Sequence, residues 1–122
     1  MNGEKQNQTT TMRNNLLPSD GLTQVRFVHD CIQLVFQDVC FNLNNKVRIE
    51  NDTDVFIQGE PGFCDALVSF LGLRPVEVAR EPLTFDFGMG VRIIVQNDQA
   101  SVSGPEAWTA HFSSGEIVVE QN

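Results

Sequence analysis

His29 and Asp30 are the pair of residues in this 122-residue chain that comes nearest to a catalytic dyad. A general base needs a group within hydrogen-bond reach that orients its imidazole ring. Adjacent residues on a strand or turn point to different sides, so His29 and Asp30 cannot easily adopt that geometry. We interpret them as a polar turn, with Asp30 capping backbone N–H groups.

Three cysteines and two histidines are the only soft metal ligands in the chain. Structural zinc sites usually have paired ligands with two to four residues between them. No such pair occurs among these residues, and we predict neither a metal nor a cofactor. Cys31 and Cys40 could face each other across a hairpin and form a disulfide, or all three thiols could be free and packed as small apolar groups. The odd count and the lack of a CxxC motif favour a reduced intracellular protein.

Gly88-Met89-Gly90 is a glycine-rich segment that could in principle hold a phosphate group. It lies between two predicted strands, however, and no helix follows to supply a positive N-terminus. We interpret it as a hairpin turn. Because the chain also lacks a nucleophile elbow, a Walker loop, an HExxH motif and a dinucleotide fingerprint, we predict that it is not an enzyme.

Negative charge is the most uneven feature of the composition, with a net charge of −8. Between Ile49 and Leu73 there are five acidic residues and no Lys or Arg, which argues against direct binding to nucleic acid. The charge could simply provide solubility, or it could steer the chain toward a basic protein partner. Under the second interpretation the partner-binding residues include Asp52, Asp54, Glu60 and Asp65; the alternative is dipole compensation by Asp65 next to a solvated loop.

Gly104-Pro105-Glu106-Ala107-Trp108 is a second candidate for binding a partner. A rigid turn that presents a carboxylate and the only Trp would form an interface anchor, so Glu106 and Trp108 join the predicted partner-binding residues. The alternative is a β-bulge corner in which Trp108 is buried.

A three-strand pattern occurs twice, 51 positions apart. Val25 corresponds to Val76, and Ile32, Leu34 and Phe36 correspond to Leu83, Phe85 and Phe87. The alternation of apolar and polar residues predicts strands. We therefore predict one repeat over residues 23–45, a second over 75–97 and a final hairpin over 106–120. Val47–Glu50 and Asp54–Ile57 are either shorter strands or loop.

A single helix is predicted over residues 61–72. Pro61 suits a first helical turn, Phe63, Leu67 and Phe70 recur at helical spacing, and Gly72 can end the helix.

Residues 1–20 are poor in apolar side chains and are predicted to be a flexible arm, leaving residues 21–122 as a single β-rich domain. No apolar run approaches the roughly 20 residues of a membrane span, and the first residues lack a secretory signal, which favours the cytoplasm. The predicted fold class is α+β, predominantly antiparallel β. In it, two meander repeats form a curled sheet or small barrel with one covering helix.

Several stretches together resemble an uncharacterised family of small bacterial β-rich domains that are similar to the immunity proteins of toxin/immunity systems. These are Val25–Asp30 with Ile32–Phe36, Gly62–Leu67 with Leu71-Gly72, Leu83–Phe87, and Gly104–Ala107. The resemblance covers roughly residues 22–112, although similar sequences usually have an aromatic residue at Cys31 and a basic one at Cys64.

The resemblance implies a non-catalytic protein-binding inhibitor whose partner is a toxin domain with a basic surface. Two alternatives remain: a structural β module that self-assembles, for instance as a homodimer, and a domain that holds a small ligand within the sheet.

Overall fold

The computed structural model describes residues 15–29 and 31–122, which form two five-stranded antiparallel sheets and one short helix. The elements in chain order are β1 Gln24–Val28, β2 Cys31–Val35, β3 Val39–Leu43, β4 Val47–Asn51, β5 Asp54–Ile57, α1 Phe63–Val68, β6 Glu77–Arg80, β7 Leu83–Asp86, β8 Val91–Val95, β9 Glu106–Phe112 and β10 Ile117–Gln121. The two segments that could have been strand or loop are both strands, β4 and β5.

Each sheet combines a meander from one half of the chain with a hairpin from the other. The first sheet has the order β1-β2-β3-β9-β10, and the second has the order β5-β4-β8-β7-β6. Phe41 of β3 lies opposite Ala110 of β9, and Ile49 of β4 lies opposite Ile93 of β8. Within the described residues no strand pairing joins one sheet to the other, so the sheets are not closed into a barrel.

The apolar faces of the two sheets pack against each other. Along β2 and β3 the buried residues alternate with half-buried ones, as a strand covered on one face requires. Phe85 of β7 meets Phe41 of β3 with ring centroids 4.8 Å apart in an edge-to-face arrangement, and it stacks on Phe36 at 6.3 Å. These rings belong to different sheets, so the core is the layer between them.

The helix is shorter than predicted. Gly62 has a left-handed φ of 88° and therefore stands before the first helical residue, Phe63. After Ser69 the hydrogen bonds become i to i−3, from Phe70 N to the Leu67 carbonyl and from Leu71 N to the Val68 carbonyl, both at 3.1 Å. Residues 69–72 are thus a series of tight turns, although Phe70 is buried as predicted.

The segment before β1 is attached to the domain from Leu16 onward. Leu16 and Leu22 are buried, and Leu22 exchanges two backbone hydrogen bonds of 2.8 Å with Gly72 and Leu73. The two segments of the backbone approach so closely at this point that a Cβ on Gly21 would lie 2.5 Å from the Gly72 carbonyl oxygen. Of the arm predicted over 1–20, residues 1–14 lie outside the described residues. No helix in the described part of the chain has the length and apolar character to cross a membrane.

Candidate protein-binding surface

The acidic residues predicted to form one patch are in two different places. Asp52 lies in the β4–β5 turn and Asp54 is the first residue of β5, whereas Glu60 follows the far end of that strand. Gln58 pairs through its backbone with Val47, at the start of β4. β4 runs from one of these places to the other in four residue steps, so the two places are about 13 Å apart. The acidic run in the sequence is divided because the hairpin carries it from one end of the second sheet to the other.

Glu60 and Asp65 lie around the start of α1, and both are exposed. Asp65 occupies the first turn of this helix, where a carboxylate favours the helix dipole. This placement agrees with the alternative interpretation of Asp65, which needs no partner.

Glu106 and Trp108 lie in β9, beside the end of β3. The register between β9 and β10 shifts here, since Glu120 faces Trp108 and Gln121 faces Glu106, so Ala107 is an extra residue in a bulge. Trp108 is only 2% exposed, and Glu106 is half-buried. This bulged corner with a buried Trp agrees with the alternative interpretation, and Trp108 is not accessible as an interface anchor.

Asp52 and Asp54 lie beside the predicted turn Gly88-Met89-Gly90. The Asp52 N–H donates to the Gly90 carbonyl oxygen at 3.2 Å, which joins the β4–β5 turn to the β7–β8 turn. At the apex of the second turn Met89 is 97% exposed. We call Asp52, Asp54 and Met89 the acidic tip.

The turn that presents Met89 is held in one conformation. The Asp86 side chain accepts a hydrogen bond of 2.8 Å from the Gly88 N–H, and Val91 N donates to the Gly88 carbonyl oxygen at 3.1 Å. Met89 itself has a positive φ of 56°, between two glycines that also have positive φ. The side chain is therefore presented outward by a turn whose backbone is already ordered, so binding costs little additional backbone freedom.

The charges of the acidic tip differ from those beside it. Glu50, two residues before Asp52, is bound by both Arg48 and Arg92, the latter at 3.0 Å, so its charge is compensated. No ion pair in the described part of the chain involves Asp52 or Asp54, and both are exposed. Their negative charge therefore acts outward on approaching molecules.

Met89 was the residue that sequence reasoning missed. The signal was available: a large apolar residue between two glycines at the apex of a tight hairpin has no neighbours to cover it. The same pattern that predicts the turn thus also predicts the exposure of its central side chain.

The cysteines and histidines do not converge on one site. Cys40 lies opposite Val35, and Cys31 is four residues further along β2, so the hairpin does not place the two thiols face to face. All three cysteines are free, and burial raises the pKa of both Cys31 and Cys40. Over residues 15–29 and 31–122 there is no group of three or more His, Cys, Asp or Glu arranged to hold a metal ion. His29 is exposed in the β1–β2 turn, and Asp30 lies outside the described residues.

Comparisons of the chain with protein-family models, with curated proteins and with solved structures found no match. The resemblance to immunity proteins therefore stays a prediction.

Proposed function

We propose that this chain is a non-catalytic inhibitor of the immunity-protein type, which binds a basic protein domain through the acidic tip. The observation that supports the proposal is the combination of two exposed carboxylates, Asp52 and Asp54, with the almost fully exposed Met89. The partner would be a toxin domain with a basic surface, bound in the cytoplasm. The three free thiols are consistent with such a reducing compartment.

The two kinds of residue in the acidic tip would have different roles. Uncompensated carboxylates on a rim mainly accelerate association with a basic surface, and their effect weakens as salt is added. Met89 would enter an apolar pocket of the partner and slow dissociation, because methionine is flexible and polarizable enough to fit an irregular pocket.

The β framework would serve as a rigid support for this tip. We also propose that the two halves of the domain are repeats, each made of a meander and a hairpin. The order β1-β2-β3-β9-β10 in one sheet parallels the order β6-β7-β8-β4-β5 in the other, which supports the repeat. In this arrangement β4–β5 corresponds to β9–β10, and the two hairpins differ at their turns.

Reversal of the two tip charges tests the proposal. We expect the double variant Asp52→Lys/Asp54→Lys to bind the toxin domain encoded beside this gene about tenfold more slowly, with a weaker dependence on salt. Met89→Gly should leave the association rate unchanged and raise the dissociation rate about tenfold. Both rates can be measured by surface plasmon resonance at several salt concentrations.

The matched control is Glu60→Lys/Asp65→Lys, which changes the net charge by the same amount at the other location. We expect this variant to slow association much less than the tip variant. Equal effects of the two double variants would mean that only the net charge matters and would refute the tip. If the wild-type chain forms no complex with the toxin domain even at low salt and does not protect cells from it, the inhibitor function itself is wrong.

A further inference from the structure

Among the four edge strands of the described sheets, β1 is the least protected against pairing with another chain. β6 has four residues between Pro75 and Pro82, and β5 has four residues that begin with Asp54. β10 has a register shift near its end, where Glu120 pairs with Arg80 of β6. By contrast, β1 has five residues and contains neither Pro nor an acidic residue. Short strands, prolines, bulges and charges are the features that keep sheet edges from pairing with other chains.

We infer that β1 pairs in antiparallel fashion with β1 of a second copy of this chain. The result would be a dimer in which the two first sheets form one continuous sheet.

The free edge of β1 presents the backbone groups of Val25 and Phe27. Val28 lies opposite Cys31 across a two-residue turn, and the residues that close such a turn are hydrogen-bonded to each other. Bonded and non-bonded pairs alternate in an antiparallel ladder, so every second residue back from Val28 bonds to β2. The N–H and C=O groups of Val25 and Phe27 therefore point away from the sheet, and no hydrogen bond within the described residues uses them.

Phe27 is the apolar residue that a strand added beside β1 would cover. Its partner across the β1–β2 pair is Ile32, which is 1% exposed, so Phe27 is on the core face of the first sheet. Phe27 is nevertheless 51% exposed, since β1 is the last strand of that sheet. A strand paired with β1 would extend the core face beyond the ring and bury its apolar surface.

The sequence of β1 is complementary to itself in one register. An antiparallel pairing must oppose outward-pointing residues, so it joins Phe27 to Phe27, Val25 to Val25, or Val25 to Phe27 of the second copy. The last pairing places Arg26 opposite Arg26, where like charges repel. Only the pairing of Phe27 with Phe27 brings the two exposed rings together and also places Arg26 opposite Val28.

The distribution of charge also favours β1 as the contact between two copies. Two molecules with a net charge of −8 repel each other, most strongly where acidic residues are concentrated. Arg26 is the only Lys, Arg, Asp or Glu within residues 21–29, whereas the segment from Ile49 to Leu73 has five acids and no basic residue. A contact through β1 therefore keeps the acid-rich segment out of the interface.

Sedimentation velocity of the full chain tests for the dimer between about 2 µM and 1 mM protein. A contact of one strand from each copy is small, so it belongs with the weak interfaces that bury less than about 1,200 Å². We expect a monomer at the lowest concentration and mostly dimer at the highest, with a Kd of about 10–100 µM.

Phe27→Lys is the decisive variant, because it removes both rings and places two ammonium groups at the centre of the interface. We expect the Kd of the dimer to rise at least about tenfold. The matched control is Val55→Lys, since Val55 is 55% exposed in the edge strand β5 and the change in charge is the same. This variant should keep the Kd within about twofold of the wild type. Circular dichroism of both variants establishes that they are folded.

Amide hydrogen exchange distinguishes strand pairing from a contact of side chains alone. In the dimer the Phe27 N–H bonds to the second copy, so its exchange should slow at least about threefold between 50 µM and 1 mM protein. The Arg26 N–H bonds to β2 in the monomer and in the dimer alike, and its exchange is the internal control. Exchange of both amides can be followed by NMR spectroscopy.

Three results would overturn the inference: a monomer at 1 mM, equal effects of the two Lys variants on the Kd, or a dimer in which Phe27 exchange is unchanged. A monomeric chain whose binding to the toxin domain is weakened by Phe27→Lys but not by Val55→Lys would assign the edge to a strand of that partner instead. None of these results decides whether the acidic tip binds a partner, since the dimer does not rest on the proposed inhibitor function.

Discussion

At the scale of single residues, Asp52 and Met89 share a backbone conformation that is uncommon outside glycine. Their φ angles are 57° and 56°, and the hydrogen bond from Asp52 to Gly90 joins their two turns. A left-handed conformation costs roughly 1–2 kcal/mol for a residue such as Met89, whereas Asp tolerates it in turns. Glycine would avoid that cost at position 89, so the Met89 side chain is present in spite of a local penalty. Strained residues of this kind tend to occur at functional sites.

Cysteine reactivity can be predicted from burial. Cys64 is exposed, while burial raises the pKa of Cys31 and Cys40 and reduces the thiolate available for reaction. At pH 8 we expect iodoacetamide to alkylate Cys64 at least about tenfold faster than the other two. The ratio between the alkylation rate of Cys64 and the rates of the other two cysteines should decrease as the pH is raised. Peptide mapping by mass spectrometry measures the three rates separately.

The raised pKa values of Cys31 and Cys40 also determine how the stability of the fold changes with pH. Because the folded-state pKa of each of these half-buried thiols is raised, the folded state retains the proton to higher pH than the unfolded chain does. Stability is unaffected below the unfolded-state pKa and decreases as the pH rises above it. In the alkylation experiment, labelling of Cys31 and Cys40 at pH 8 as fast as that of Cys64 would contradict the burial described for these two thiols.

At the scale of elements, the local features of the sequence predicted local structure well. Ile32 and Leu34 lie on one face of β2 with Gln33 on the other, a pattern local to this strand, and the strand is found where it was expected. The pairing of β3 with β9 could not be obtained in this way. A strand edge offers the same backbone groups to any partner, and the choice between distant strands depends on how the whole core packs.

For the candidate site, too, the sequence predicted local properties but not the arrangement of distant residues. The charges of Asp52 and Asp54 marked them as surface residues, and they are exposed. Their separation from Glu60 depends on the course of the β4–β5 hairpin, and their proximity to Met89 depends on the pairing of β4 with β8. Neither relation can be read from the charge pattern. Asp54 and Glu60 are close in the sequence but lie at different ends of the sheet, whereas Asp52 and Met89 are distant in the sequence but lie in adjoining turns.

The junction between the sheets should depend strongly on Phe85. This residue is fully buried and contacts aromatic rings on the opposite sheet. Phe85→Ala should lower the free energy of unfolding by about 3–5 kcal/mol, through lost burial and the cavity that remains. Phe27→Ala is the control: Phe27 is 51% exposed on the edge strand β1, and its removal should cost less than about 1 kcal/mol. Urea denaturation followed by circular dichroism measures both, and similar losses would contradict the described core.

At the scale of the whole molecule, 16 acidic residues oppose 8 basic ones. Among the described residues, Glu50 and Glu120 are acids that form ion pairs. Self-repulsion of this kind weakens a compact state, and salt screens it. We expect the Tm to rise by about 2–5 °C when NaCl is increased from about 10 mM to 300 mM. Differential scanning fluorimetry is sufficient for the measurement.

The variant Asp52→Asn/Asp54→Asn serves as the comparison for the salt experiment. It removes two uncompensated charges from the acidic tip, so its Tm should be higher at low salt and should change less with added NaCl. A Tm that falls as salt is added would show that attractive ion pairs, rather than repulsion, dominate the surface of the folded chain.

The exchange of hairpins between the two sheets determines when this protein can fold during its synthesis. A ribosome releases β1–β3 early, but their neighbours β9 and β10 end at Gln121. The first sheet thus remains incomplete, with one side of β3 unpaired, until β9 and β10 have left the exit tunnel. Pairings between segments so far apart also form slowly. The second sheet, whose strands all lie within residues 47–95, can pair before β9 and β10 emerge, whereas the first sheet cannot. The nascent chain therefore depends on rapid completion or on chaperones to cover the apolar face of the first sheet.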